Sequence, residues 1–406
     1  MQLRIHHGAA QIGGNCIELA SGGKTLLLDL GLPLDSPPRL PPVSGLGNDD
    51  GQLLGVVLSH PHLDHYGLLP ELRADLPVWL GRGAQKLLDA ASPFAPNSAL
   101  PQTITPYEDR KPFSAGPFTI TPYLMDHSAY DAYALLVEAE GKRLFYTGDF
   151  RGHGRKAKAF ERFIANPPAN IDVMLMEGTT IGRDEPPSTE QDVEDRTASL
   201  MRGCPSMILA CFSGQNIDRF VTFFRASVRS GRTFVIDAYM ANLIDALELD
   251  SLPDPRTSDR LRVYLSRAQR RRIITDKRFD LIDRFSGQRI YAEELQASPQ
   301  RYAMMFRTSM AGDFDRMDLK NACLIYSLWS GYLERDRTDL RKWAKQKEID
   351  FHIVHSSGHA SSSDLYRMAQ AVAPQRLLPI HTVHPERYAS LSANTEIVAN
   401  GEWATV

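Results

Sequence analysis

Cysteine is scarce in this 406-residue chain: Cys16, Cys204, Cys211 and Cys323 are widely spaced, with no Cys-x-x-Cys pair. That spacing excludes a disulfide framework and a zinc ribbon and fits a reducing compartment. Long apolar runs are missing too. No stretch approaches the roughly 18 residues of a membrane span, and Met1-Gln2-Leu3-Arg4-Ile5-His6-His7 lacks the apolar core of a signal peptide. We therefore expect a cytoplasmic protein with no membrane partner. Nor is there an excess of one charge, since 46 Lys+Arg stand against 49 Asp+Glu for a net charge of -3. A surface that binds a polyanion must then be local. Internal repeats and low-complexity tracts are absent as well. What remains is an ordinary globular composition, 43% hydrophobic and 9% aromatic, long enough for two or three structural units.

The first half alternates short apolar runs with turns. Thr25-Leu26-Leu27-Leu28-Asp29-Leu30-Gly31 and Gly55-Val56-Val57-Leu58-Ser59-His60 read as buried strands that end in polar loops. Tyr133 to Glu138 and Lys142 to Thr147 form an expected hairpin that feeds the turn Thr147-Gly148-Asp149-Phe150, and Val173 to Met176 is a further strand. The pattern breaks at Asp184-Glu185-Pro186-Pro187-Ser188, with a capped helix starting at Ser188 or Thr189. Residues 186–345 then read as a separate α/β module with strands at Met207 to Ala210, Thr233 to Ile236 and Leu324 to Ser327 and a helix over Ile217 to Ser230. Beyond it come a strand at Asp350 to His355, a helix at Ser362 to Val372 and a strand near Leu377 to Ile380.

The sharpest local pattern is Ser59-His60-Pro61-His62-Leu63-Asp64-His65, directly after a strand. In extended chain, residues i and i+2 project to one side, so His60 and His62 can share one metal while the next turn swings Asp64 and His65 toward a second. Two metals need further ligands. His127, in Met125-Asp126-His127-Ser128, can complete the first site, and the two oxygens of Asp149 can bridge both. Alone, His127 would be a structural histidine and Asp149 a turn residue; beside the motif, they read as ligands.

These residues resemble the metallo-β-lactamase superfamily, whose His-x-His-x-Asp-His signature stands intact at 60–65. Glu177 in Met176-Glu177-Gly178-Thr179-Thr180, His359 in Ser356-Ser357-Gly358-His359-Ala360 and His381 in Leu378-Pro379-Ile380-His381-Thr382 resemble motifs A, B and C of the β-CASP nucleases, the group of ribonuclease J and the endonuclease of messenger-RNA 3′-end processing. The resemblance implies an αββα metallo-β-lactamase sandwich over 1–185 and 346–406, with an α/β β-CASP domain inserted at 186–345. It also implies two zinc ions, with manganese as an alternative: one held by His60, His62 and His127, the other by Asp64, His65 and His381, with Asp149 between. The motif C loop carries a second histidine, His384, in place of the usual sequence; His381 is preferred because it directly follows a strand.

The implied activity is a zinc-dependent ribonuclease in which a two-metal-activated hydroxide attacks phosphorus and a histidine acts as general acid. Asp64, Glu177 and His359 are the candidate catalytic residues. His359 would protonate the leaving oxygen, and Glu177 would fix its ring through the other nitrogen. Histidine at motif C tilts the substrate toward RNA, single-stranded and bound in a cleft between the modules. Two other readings stand beside this one: a hydrolase of a small-molecule ester, thioester or lactam, and a DNA-directed nuclease. Substrate contacts are expected at Ser213, Gln215, Asn216 and His355. The basic tract Arg256, Arg260, Arg262, Arg267, Arg270, Arg271, Arg272, Lys277 and Arg278 either meets phosphates or is a solvated face. Trp329 and Tyr332 are read first as packing residues and second as base-stacking ones. A homo-oligomer is possible.

Overall fold

The computed structural model describes the chain except for residues 35–36, 49–50, 96–99, 101–102, 184–186 and 336–338. It divides into two compact units, Met1–Pro187 with Gly358–Val406, and Ser188–Ser357. The expected boundary at 185/186 lies outside the described residues.

The first unit contains two sheets. One has seven strands in the order Trp403–Thr405, Gln2–His7, Cys16–Ser21, Lys24–Leu28, Leu53–Val57, Val78–Gly81, Ile104–Tyr107. The other has six, in the order Arg376–Ile380, Val173–Glu177, Lys142–Tyr146, Ala132–Ala139, Phe118–Met125, Phe113–Ala115. Their inner faces share one core in which Leu3, Ile5, Leu19, Leu28 and Val57 meet Phe118, Leu135, Val137, Leu144, Leu175 and Leu378. Fully burying such a side chain contributes about 1.5–3 kcal/mol. The outer face of the six-stranded sheet packs Phe145, Met174 and Leu377 against Phe160 and Phe163 of the helix Ala157–Ala165 and Leu365 and Met368 of the helix Ser362–Val372. With the amphipathic helix Arg82–Ala91 following the strand Val78–Gly81 of the other sheet, the layers follow the αββα order. The hairpin from Ala132 to Tyr146 pairs antiparallel, its turn made by Glu140 and Gly141, both at positive φ.

The second unit is built on one seven-stranded sheet, Arg289–Ile290, Leu261–Tyr264, Thr233–Asp237, Tyr302–Met305, Ile208–Cys211, Cys323–Tyr326, Asp350–Ile353, in which every pair is parallel. Its first helix, Glu190–Gly203, starts in a capping box: Thr189 accepts from the Asp192 amide and Asp192 from the Thr189 amide. The strand Asp350–Ile353 differs from the expectation that it begins the second lactamase segment at 346. It pairs with Cys323–Tyr326, so the sheet of the inserted unit runs on past 345. A strand's pairing partner is a long-range choice that its own residues do not record. Among the described residues, no helix is long and apolar enough to cross a membrane.

Candidate metal centre

All of the candidate ligands sit in the first unit, at strand ends or in the loops just after them. His60 and His62 follow the strand Leu53–Val57, and Asp64 and His65 lie in the single-turn helix Leu63–Tyr66. His127 follows Phe118–Met125, Asp149 follows Lys142–Tyr146, Glu177 ends Val173–Glu177 and His381 follows Arg376–Ile380. Parallel pairing of Lys142–Tyr146, Val173–Glu177 and Arg376–Ile380 brings the last three to one edge of one sheet.

Three groups of ligand-type atoms result: His60 with His62 and His127; Asp64, His65, Asp149 and His381; and Asp149, Glu177 and His359. Within each group the atoms lie no more than 4.8 Å apart. His62 Nδ1 and His127 Nε2 are 3.1 Å apart. Asp149 stands at the centre, Oδ2 being 3.2 Å from His65 Nε2, 3.7 Å from His60 Nε2 and 3.5 Å from His359 Nδ1, with Oδ1 3.1 Å from His381 Nδ1. His60 Nε2, His65 Nε2, both oxygens of Asp149 and both ring nitrogens of His381 are buried without a hydrogen-bond partner. Buried polar atoms left unpaired are costly, and six facing one another make a donor set that fits divalent cations. The fold and these clusters support binding of divalent metal. His381 holds φ at +53°, a left-handed conformation costly for a side chain of its size, and that turns its ring into the cluster. His384, by contrast, is exposed and 3.3 Å from Glu386.

The electrostatics divide the histidines. Burial, reinforced by His65 and His127, drives His60 well below the usual histidine range; burial does the same to His127 and pushes His62 down to about 4. These three therefore stand neutral, the form that binds metal. For His65 burial opposes the charge, but Asp149, Asp29 and Asp64 outweigh it and hold the ring well above its ordinary value. A cation would take the place of that proton. His359 is likewise raised to about 9, because Glu177 and Asp149 overcome its desolvation, while His381, His65 and His359 together keep Asp149 well below the carboxylate range.

Glu177 is fully buried and held by backbone amides, with Oε1 accepting from Ala360 (3.2 Å) and Phe150 (3.5 Å) and Oε2 from Thr179 (3.0 Å). Oε1 lies 3.4 Å from His359 Nδ1, and Thr179 Oγ1 is 3.1 Å from that same nitrogen. Two anchors were not singled out in the sequence. Asp29, buried and at φ +58°, accepts from the Ser59 amide (2.6 Å), Ser59 Oγ (2.8 Å), Tyr146 Oη (2.6 Å) and His65 Nδ1 (2.8 Å). It thereby fixes which nitrogen of His65 faces the cluster. The Gly358 carbonyl, 2.6 Å from His127 Nδ1, does the same for His127. An aspartate that ends an apolar strand was the available signal for Asp29.

The other expected residues lie in the second unit. Ser213 is exposed, Gln215 is half-buried, and Asn216 spends its side-chain oxygen on the Arg219 amide as a helix cap. His355 Nδ1 stands 3.3 Å from Nη1 of the buried Arg219. Trp329 and Tyr332, read first as packing, are half exposed and set edge to face, with 5.3 Å between ring centres.

A model of the Beta-lactamase superfamily domain matches residues 25–205. The chain is 22% identical to the Ribonuclease J of Sinorhizobium meliloti over 89% of its own length and 65% of that protein's. It is 23% identical to the Ribonuclease J of Corynebacterium glutamicum over 97% of itself and 55% of the relative. An RNase J-like protein of Methanocaldococcus jannaschii is 29% identical over 44% of the chain. The chain thus spans between half and two thirds of the first two relatives. A crystal structure of a protein of unknown function from Enterococcus faecalis V583 superposes with a TM-score of 0.81 at 22% identity, covering 100% of this chain and 99% of that one, and shares its fold.

Proposed function

Taking this chain as a metallo-β-lactamase-fold protein with a β-CASP module, we propose that it is a metal-dependent ribonuclease acting on single-stranded RNA. One observation carries the reading: seven side chains scattered from position 60 to 381 converge, and six of their buried ligand atoms have no other partner. When bound by His60, His62 and His127 and by Asp64, His65 and His381, with Asp149 shared, two zinc ions supply the Lewis acidity that makes water nucleophilic near neutral pH and offsets charge on phosphoryl oxygens.

The chain does the rest. Asp29 and the Gly358 carbonyl keep the ligand nitrogens of His65 and His127 aimed inward. A ribose oxygen leaves poorly unless it receives a proton. His359 provides it, because Glu177 and Asp149 favour the charged ring against its burial and Glu177 and Thr179 hold it through Nδ1. Glu177 in turn cannot swing away, since three backbone amides hold it. RNA as the substrate is supported by the ribonuclease names of the relatives and by the histidine at position 381.

The test is to incubate purified protein with 5′-labelled and 3′-labelled RNA and DNA oligomers, with and without chelator, beside His359→Ala. Chelator-sensitive RNA cleavage that the variant loses supports the reading. Intact RNA together with turnover of a thioester or lactam refutes it, and a metal content well under two ions per chain removes the two-cation arrangement.

A further inference from the structure

The basic tract splits once its partners are known. Arg256 pairs with Asp245 and Asp254, Arg272 with Asp276 and Arg278 with Asp280, and Arg267 donates to the Gly312 carbonyl. Arg270 and Arg271 are exposed on the helix Arg267–Thr275 and have no partner among the described residues. With Arg267 they occupy i, i+3 and i+4, one face of that helix.

A second arginine position lies at the same edge of the sheet. The helix follows the strand Leu261–Tyr264, and Arg307 follows Tyr302–Met305; both strands run parallel to Thr233–Asp237, so both residues emerge at carboxyl ends. Asp237, which ends that central strand, joins them: its Oδ2 accepts from Arg307 Nε at 2.7 Å and from Gln269 Nε2, in the first turn of the helix, at 3.0 Å. The Arg307 guanidinium lies over the Tyr239 ring, 4.9 Å from its centre. Among the described residues neither terminal nitrogen has an oxygen partner, and Nη2 reaches only Met305 Sδ at 3.9 Å. A Cβ on Gly214 would come within 2.7 Å of both Nη2 and the Tyr239 ring, so the glycine leaves room for the guanidinium. An arginine fixed through Nε, with its outer fork free, is set for bidentate contact with a phosphate. Open parallel sheets bind ligands outside the carboxyl ends of their strands.

We infer that this edge is a track for the phosphates of a single nucleic-acid strand, Arg307 gripping one phosphate and Arg270 and Arg271 meeting its neighbours. The inference rests on the ribonuclease reading for the identity of the polyanion.

The test uses the full metal-loaded chain and fluorescence anisotropy with a phosphorothioate-linked oligouridylate of about 20 nucleotides, at roughly 50 and 200 mM salt. Each single-strand phosphate contact adds about 0.7 to the slope of log affinity against log salt. Arg270→Gln with Arg271→Gln should lower that slope by about 1.4, and adding Arg307→Met should lower it by about 2. Across the fourfold rise in salt, the parent then loses roughly 20-fold more affinity than the triple variant. The double variant changes only exposed side chains, so it keeps the test valid if loss of Arg307 unsettles the fold. Slopes equal to the parent's overturn the inference. So does a variant that keeps RNA affinity but no longer binds phosphatidylserine vesicles, which would make the edge a membrane contact. Cleavage of unmodified RNA is scored separately; its absence refutes the hydrolase while a lowered slope still upholds the track.

Discussion

Asp29→Asn is the most searching substitution. It is nearly isosteric, and asparagine tolerates the left-handed φ of +58° that position 29 adopts, so the backbone has no reason to move. The hydrogen-bond pattern, however, inverts. Asp29 Oδ2 stands 2.8 Å from His65 Nδ1 and 2.6 Å from Tyr146 Oη. An amide nitrogen on that side requires His65 Nδ1 to accept, which moves the ring proton to Nε2, the atom that faces Asp149 at 3.2 Å. A cation at that position must then displace the proton and hold the unfavoured tautomer. Loss of such a supporting carboxylate weakens metal binding about 10- to 100-fold, or roughly 1.4–2.7 kcal/mol. Competition against a chromophoric chelator should show one of two bound cations weakened by that factor and the other, at His60, His62 and His127, little changed. Tyr146→Phe is the control: it removes one donor to Asp29 without disturbing the His65 tautomer, and its affinities should stay within about threefold of the parent's, a small fraction of the carboxylate effect. If Asp29→Asn binds both cations as the parent does, the tautomer argument is wrong.

Four further outcomes follow from the same geometry. His359→Ala should lower kcat on RNA by about 10²–10⁴-fold with unchanged metal content, as expected for a lost proton donor, measured by single-turnover cleavage and elemental analysis. His384→Ala, which removes an exposed ring beside Glu386, should leave cleavage rates within about twofold, the size of a screened surface pair. Between pH 6 and 8 the two cation sites should respond differently. His60, His62 and His127 are depressed and already neutral there, so affinity at their site stays nearly flat, whereas His65 is raised and must shed a proton, so affinity at its site climbs by up to about tenfold per pH unit; calorimetric titration in buffers of different ionisation heat counts that proton. Gly31→Ala should cost about 1–3 kcal/mol in denaturant unfolding and weaken metal binding as well, because a Cβ there falls on the carbonyl of Asp64.

What could be read from the sequence was what local spacing encodes. His60, His62, Asp64 and His65 lie within six residues, and a strand followed by a turn dictates where they point. His127, Asp149 and His381 each follow a strand, so their loops could be placed once strands were found. Asp29 was passed over because its role depends on residues 30 and 36 positions away, Ser59 and His65, meeting it across a parallel strand pair. Thr179 was passed over for the same kind of reason, its partner His359 being 180 residues distant. The basic tract left two readings open, phosphate contact or a solvated face, because spacing does not show which arginines are already paired. Asp245, Asp254 and Asp280, which lie outside the tract, pair with two of its arginines, Arg256 and Arg278. Arg307, beyond the tract, was invisible because charge composition does not reveal which guanidinium is left with its fork open.

The first unit is interrupted: its donors up to Glu177 are translated before the inserted segment, and His359 and His381 only after it. At about 5–20 residues per second, the ribosome needs on the order of 10–40 s to pass from the earlier group to the later one. Throughout that interval the nascent chain contains His60, His62, His127 and Asp149 but not His359, His381 or the Gly358 carbonyl that holds His127. The full set of donors is therefore present in the chain only once the strand Arg376–Ile380 and the residue after it have been made.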